Sequence, residues 1–267
     1  MIIIGEKING AIPSVAKAIE ERDSGFIRDL AVRQSECGAD YIDVCAGTKP
    51  ELERDALTWI MDIVQEATEI PLCIDSPDPD VILDMMPHAA QPGIINSVSD
   101  ENGKCEKVLP RVADSQWKII ALTCDDTGLA MDAGKKIAIA DTIISKAAGY
   151  GITEDRLFMD PLVNSLATTP QSLNTFGEAV RAIKERHPDV HITSGLSNIS
   201  FGMPLRKIFN QYFLSLAMSA GMDSAILDPT SEDIRAAILA TEGLLGQDEY
   251  CMRFLQAYRA GSIGTKK

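Results

Sequence analysis

Residues 39–76, ADYIDVCAGTKPELERDALTWIMDIVQEATEIPLCIDS, decide the fold. The two ends, ADYIDVCAG and IPLCIDS, are short apolar runs without sustained polar alternation, the pattern of strands covered on both faces in a parallel sheet. Between them Leu52, Leu57, Ile60, Met61 and Val64 recur at helical spacing, with charged residues on the opposite side. Strand, amphipathic helix and strand together make one βαβ unit.

The same alternation extends in both directions. Six further apolar runs, MIIIG, QPGIINS, WKIIALTCD, DRLFMDP, VHITSGLSN and MDSAILDP, bring the strand candidates to eight. Helical periodicity is predicted over 24–38, 78–87, 104–114, 133–148, 171–187, 205–220 and 231–244, and a short extra helix over 13–21. No Pro/Gly/Ser-rich linker, composition break or internal repeat interrupts this order, so residues 1–267 are expected to form one domain. The expected fold class is α/β, a single parallel (β/α)8 TIM barrel, whose usual size is about 250 residues. A doubly wound open sheet also alternates strand and helix. Its dinucleotide fingerprint G-x-G-x-x-G is missing after the first strand, where the chain reads Gly5-Glu6-Lys7-Ile8-Asn9-Gly10, and no G-x-x-x-x-G-K-[ST] loop occurs.

Composition narrows the function. With 45% hydrophobic and 24% charged residues the chain has ample material for a folded core. A formal net charge of −14 without a basic patch disfavours nucleic acid and anionic membrane surfaces. The six cysteines form no C-x-x-C pair, and the three histidines, His88, His187 and His191, are scattered, so a zinc or iron–sulfur site is not expected. Cys45, Cys73 and Cys124 sit in apolar runs as small core residues, which fits a reducing, cytoplasmic compartment. MIIIGEKING is too short an apolar start for a signal peptide, and no segment approaches a membrane span of about 18 apolar residues.

In such a barrel the carboxyl ends of the strands converge on one mouth. The residues there are Glu6 and Asn9, Asp43, Asp75, Asn96, Thr123 with Asp125, Asp160, Ser197 with Asn198, and Asp228. Each belongs to a type that also caps helices. Asp43, Asp75, Asn96 and Asp160 are read as ending buried strands several residues before the next helix, so a ligand rich in donors and acceptors would satisfy them. The carboxylates could instead hold Mg²⁺ or another hard cation. Few of these ends carry a histidine or lysine, which argues against chemistry needing a positioned base or a Schiff-base lysine.

The segments IIIGEKIN, GADYIDVCAG, LCIDS, INSVS, ALTCDDTG, DRLFMDPL and GLSNISFGMPLR, together with the run from Asn210 to Pro229, resemble the pterin-binding methyltransferases over nearly the whole chain. The type member of that family is methyltetrahydrofolate:corrinoid/iron–sulfur protein methyltransferase. The resemblance implies that Asp75, Asn96 and Asp160 hold the pterin ring, with Glu6, Asp43 and Ser197 also lining the folate site. It further implies that Asn198 approaches N5 of the folate and supports the methyl transfer. The implied substrates are tetrahydrofolate or methyltetrahydrofolate and a corrinoid (cobalamin) carried on a separate corrinoid protein, in either direction of transfer. A homodimer is implied as well.

One position departs from the family: Asp-x-Asn on the second strand reads Asp43-Val44-Cys45 here. Replacing an amide by a thiol alters the hydrogen bonding at the mouth. A nucleophilic Cys45 is disfavoured because nothing basic is expected beside it. A dihydropteroate synthase-like enzyme is the neighbouring alternative, but the last strand, ILDPTSED, lacks a cation for a diphosphate. A non-catalytic pterin-binding protein and a metal-dependent barrel lyase are the remaining alternatives.

Overall fold

The computed structural model describes residues 1–264. All eight anticipated strands form: β1 (Ile2–Asn9), β2 (Tyr41–Cys45), β3 (Leu72–Asp75), β4 (Ile94–Asp100), β5 (Lys118–Asp125), β7 (Leu157–Asp160), β8 (His191–Ile192) and β9 (Ser224–Leu227). A two-residue strand, β6 (Gly128–Leu129), folds back antiparallel on β5 and was not anticipated. The parallel order is β8-β7-β5-β4-β3-β2-β1-β9. The ring closes between β8 and β9 through the parallel bridge Gly195–Ile226, with Ile226 N–H donating to Ser194 O at 3.0 Å.

The helices fall where the periodicity places them: α1 (Pro13–Glu21), α2 (Ser24–Glu36), α3 (Pro50–Ala67), α4 (Pro79–Met85), α5 (Lys104–Val112), α6 (Ala133–Gly149), α7 (Ser172–Arg186), α8 (Arg206–Ala220) and α9 (Glu232–Leu244). A tenth, α10 (Met252–Arg259), has no counterpart among the sequence expectations. Local chemistry starts them. Proline occupies the first turn of α1, α3 and α4, where its missing N–H costs nothing, and Asp78, Asp132 and Ser231 accept backbone N–H groups at the starts of α4, α6 and α9. On α3, Leu57, Ile60, Met61 and Val64 are buried as expected, whereas Leu52 in the first turn is 56% exposed.

Two apolar layers result. Ile4, Cys73, Ile94, Ile120 and Phe158 fill the barrel interior, and a larger cluster joins the outer strand faces to the helices. At the mouth, the turn after β1 crosses the loop after β2 so closely that a Cβ on Gly10 would lie 1.9 Å from Ala46 O, so this crossing requires glycine.

Candidate active site

Side chains two residues apart on a strand share a face, so the interior can be followed upward along each strand. Ile4 is succeeded by Glu6, Tyr41 by Asp43, Cys73 by Asp75, Ile94 by Asn96, Phe158 by Asp160 and Ile226 by Asp228. An apolar plug therefore carries a polar floor. Parallel register sets neighbours on that floor: Asp75 pairs with Asn96, and Cys45 with Asp75. Above it opens a cleft of about 690 Å³ lined by Glu6, Asp43, Asp75, Asn96, Ser197 and Asn198 among others, a size that suits a small heterocyclic ligand.

Six of the seven residues singled out from the sequence thus meet in one cleft. Asp160 ends β7 and is 5% exposed, but it does not line the open space. Its Oδ1 accepts Leu162 N–H at 2.7 Å, which folds the following turn over it. Asp43 and Asn96 lie inside β2 and β4 and do not end them, because both strands continue past the floor. Two other strand-end residues are satisfied by their own loops and cap no helix: Asp125 accepts Thr127 N–H and Asp228 accepts Thr230 N–H, each at 2.9 Å, while Asp132 and Ser231 start the helices that follow. Thr123 is buried below the mouth on the outer face, without a hydrogen-bond partner for its hydroxyl.

The floor is electrostatically tense. Burial, reinforced by the neighbouring Asp75 charge, raises Asp43 well above the usual carboxylate range, while Asn96 Nδ2 donates to Asp43 Oδ1 at 3.3 Å. Burial pushes Asp75 up to about 6, partly offset by a hydrogen bond from the Cys45 thiol. Burial likewise pushes Asp160 to about 6. Glu6 reaches about 7 through burial and the adjacent Asp228. Burial and the flanking carboxylates Asp75 and Asp43 also drive the Cys45 thiol upward, so it stays protonated and acts as a donor. Among the described residues, these carboxylates do not form a cluster arranged to hold a metal ion.

Asn198 lies on a short 3-10 turn (Leu196–Ser200) after β8, with an exposed side chain whose Nδ2 would sit 2.9 Å from a Cβ placed on Gly195. Glycine at 195 therefore leaves room for the amide. Arg206, at the start of α8, fastens this turn: its Nη2 donates to Ser197 O at 2.7 Å and its Nε to Ser200 Oγ at 3.1 Å. Sequence reasoning missed Arg206 as a site residue, although the motif GMPLR contains it. It also missed Lys136 on α6, which is 2% exposed and donates to Pro161 O at 2.5 Å and Leu162 O at 2.9 Å beside Asp160. A lysine on a helical face gives no sequence signal of such burial.

A closed α/β barrel whose strand ends present carboxylates and an amide to a heterocycle-sized cleft defines a class, and residues 9–228 match the family described as pterin binding enzyme. The chain belongs to that family. It is 52% identical over 266 residues to the methylcorrinoid:tetrahydrofolate methyltransferase of Eubacterium limosum, covering 99% of this chain and 98% of that protein. It is 32% identical over 243 residues to the methionine synthase of Mycobacterium tuberculosis, covering 85% of this chain but 20% of that larger protein. Among solved structures, a dihydropteroate synthase from Xanthomonas albilineans superposes with a TM-score of 0.67 at 19% identity, covering 91% of this chain and 92% of that one. The enzyme from Yersinia pestis gives 0.64 at 16%, covering 92% and 94%. These structural likenesses reflect the shared barrel.

Proposed function

We propose that the whole chain, residues 1–267, is one pterin-binding unit that moves a methyl group between the cobalt of a corrinoid on a partner protein and N5 of tetrahydrofolate, with tetrahydrofolate as the acceptor. The observation that carries this reading is the end-to-end identity of 52% with a methylcorrinoid:tetrahydrofolate methyltransferase, aligned over the residues that build the cleft. The floor suits the ligand. Asp75 offers acceptors to the N–H groups of an amino-pyrimidinone edge, and the adjacent Asn96 amide both donates and accepts. Asp160, buried at the end of β7 beside this floor, is assigned as the third pterin contact. Asn198, exposed at the rim, supplies a hydrogen bond to N5 as the methyl group moves, and the corrinoid supplies the electrophilic or nucleophilic cobalt.

The corrinoid protein docks over the mouth. Large apolar side chains, Leu52, Leu129, Met131, Phe201 and Leu205, stand exposed on the loops and helix starts around it, as a transient interface needs. A second copy of the chain packs against α8, giving a homodimer. No helix among the described residues is long and apolar enough to cross a membrane. All six cysteines are free, which supports a reducing cytoplasmic setting.

Calorimetric titration with tetrahydrofolate and methyltetrahydrofolate should give micromolar binding. Mixing methylcobalamin with tetrahydrofolate, or cob(I)alamin with methyltetrahydrofolate, should give the cobalt absorbance change. Asn198→Ala should slow that change by about 10²-fold or more while weakening folate binding by a few-fold at most. Equal losses in both would remove Asn198 from the chemical step, and absence of folate binding would overturn the whole reading.

A further inference from the structure

Methyl transfer to N5 has a proton balance that the residues assigned so far do not meet. As the N5 lone pair forms the new N–CH3 bond, the Co–CH3 bond breaks and its electron pair stays on cobalt. The N5–H proton must then leave. An asparagine amide can hydrogen-bond at N5 but cannot keep the proton. The carboxyl groups of the cleft are mostly engaged. Asp75 accepts from the Cys45 thiol, Asp43 from Asn96 and Cys73, and Asp228 from Thr230, with Lys7 Nζ 3.3 Å away.

Glu6 and Asp233 are the exceptions, and of the two Asp233 is exposed to solvent on α9 whereas Glu6 stands on the strand floor. The Glu6 side chain turns inward from β1 into the same cleft as Asn198, is partly buried, and makes no hydrogen bond or ion pair with any described residue. We propose that the Glu6 carboxyl exchanges the N5 proton, its carboxylate taking the proton when tetrahydrofolate accepts a methyl group and its acid form returning it when methyltetrahydrofolate donates one. This rests on the methyl-transfer reading above.

The surroundings suit the task. Asp228 after β9 and Asp43 on β2 face Glu6 with like charge, whereas Lys7 on β1 and Arg206 on α8 face it with opposite charge. Burial and Asp228 outweigh the cations and hold the group at about 7, where giving up and taking up a proton are nearly balanced at neutral pH.

Single-turnover transfer followed at the cobalt absorbance from about pH 5.5 to about pH 8.5 tests the assignment in both directions. In the accepting direction the rate should rise with pH through about 7, and in the donating direction it should fall through the same point. Glu6→Gln should lose about 10²- to 10⁴-fold in rate, flatten both profiles and keep folate affinity within about threefold by calorimetry. An inflection that survives in Glu6→Gln, or an affinity loss equal to the rate loss, overturns the assignment. Should Glu6→Gln fail to fold, Glu6→Asp must retain an inflection, and its absence from Glu6→Asp or from the parent enzyme overturns it equally. Failure of the parent enzyme to bind folate overturns the methyl-transfer reading instead.

Discussion

At the scale of single residues, Cys45 shows how a departure from a family pattern can keep a function by other means. The thiol pairs in register with Asp75 and donates to its carboxylate, so it takes over part of an amide's hydrogen-bonding work without becoming a nucleophile. Removing that donor should raise Asp75 further, and a protonated Asp75 is a poorer acceptor for pterin N–H groups. Cys45→Ala is therefore expected to weaken folate binding about five- to tenfold, the value of one net hydrogen bond, and Cys45→Ser to restore it. The loss should be larger at pH 6 than at pH 8, because the carboxylate is fully ionised only well above its pKa of about 6. Calorimetry at the two pH values decides, and unchanged affinity at both would show that the thiol plays no part. Asp75, Asn96 and Asp43 were legible in the sequence because each follows an inward apolar residue by two positions. The covering of Asp160 by the Leu162 turn, the embedding of Lys136 and the isolation of Glu6 were not legible. They depend on loop paths and on which carboxyl groups find partners, and strand pattern encodes neither.

At the scale of elements, α8 carries two faces that the sequence presents as one apolar helix. Phe213, Leu214, Ala217 and Met218 are buried against the barrel, as helical periodicity dictates. Ile208, Tyr212 and Leu216 form a second stripe at 48%, 68% and 52% exposure. The proposed homodimer would use this stripe, since a two-fold self-pairing covers it on both copies at once. Tyr212→Glu should convert a dimer of the 28.9 kDa chain into monomers in sedimentation velocity while leaving the far-ultraviolet circular dichroism unchanged. A monomeric parent protein would refute the pairing. The strand that is shortened and the helix that was missed have equally local causes. β8 has two regular residues, and the chain keeps only single bonds to β7 and β9 through Thr193, Ser194 and Gly195 before it enters the Asn198 turn; α10 is short with no buried residue, so it lacks the stripe by which the other helices are recognised.

At the scale of the whole molecule, the site is built against stability, and pH should expose the conflict. Asp75 and Asp160 at about 6 and Glu6 at about 7 stand above their ordinary values, so the native protein binds more protons than the unfolded chain between about pH 4 and pH 7. Their contribution is most favourable when all three are protonated, and it is lost as the pH rises through that window. The opposite holds for Asp125 and Asp248, lowered by hydrogen bonds from Thr127 and from the Arg253 backbone. It holds also for Asp223, where donors His191 and Ile192 outweigh burial. Their stabilisation is present above about pH 4 and lost below it. The two windows together place maximum stability of the ligand-free protein in mildly acidic solution. Asp75→Asn removes a charge that the native floor penalises, keeps an oxygen for the Cys45 thiol, and relieves Asp43 of its nearest like charge. At pH 8 it should raise Tm by about 2–6 °C, equivalent to about 1–2 kcal/mol, and abolish folate binding. At pH 5, where the native carboxyl is already protonated, the gain should vanish. Scanning calorimetry at both pH values separates this from improved packing, which would raise Tm equally at each.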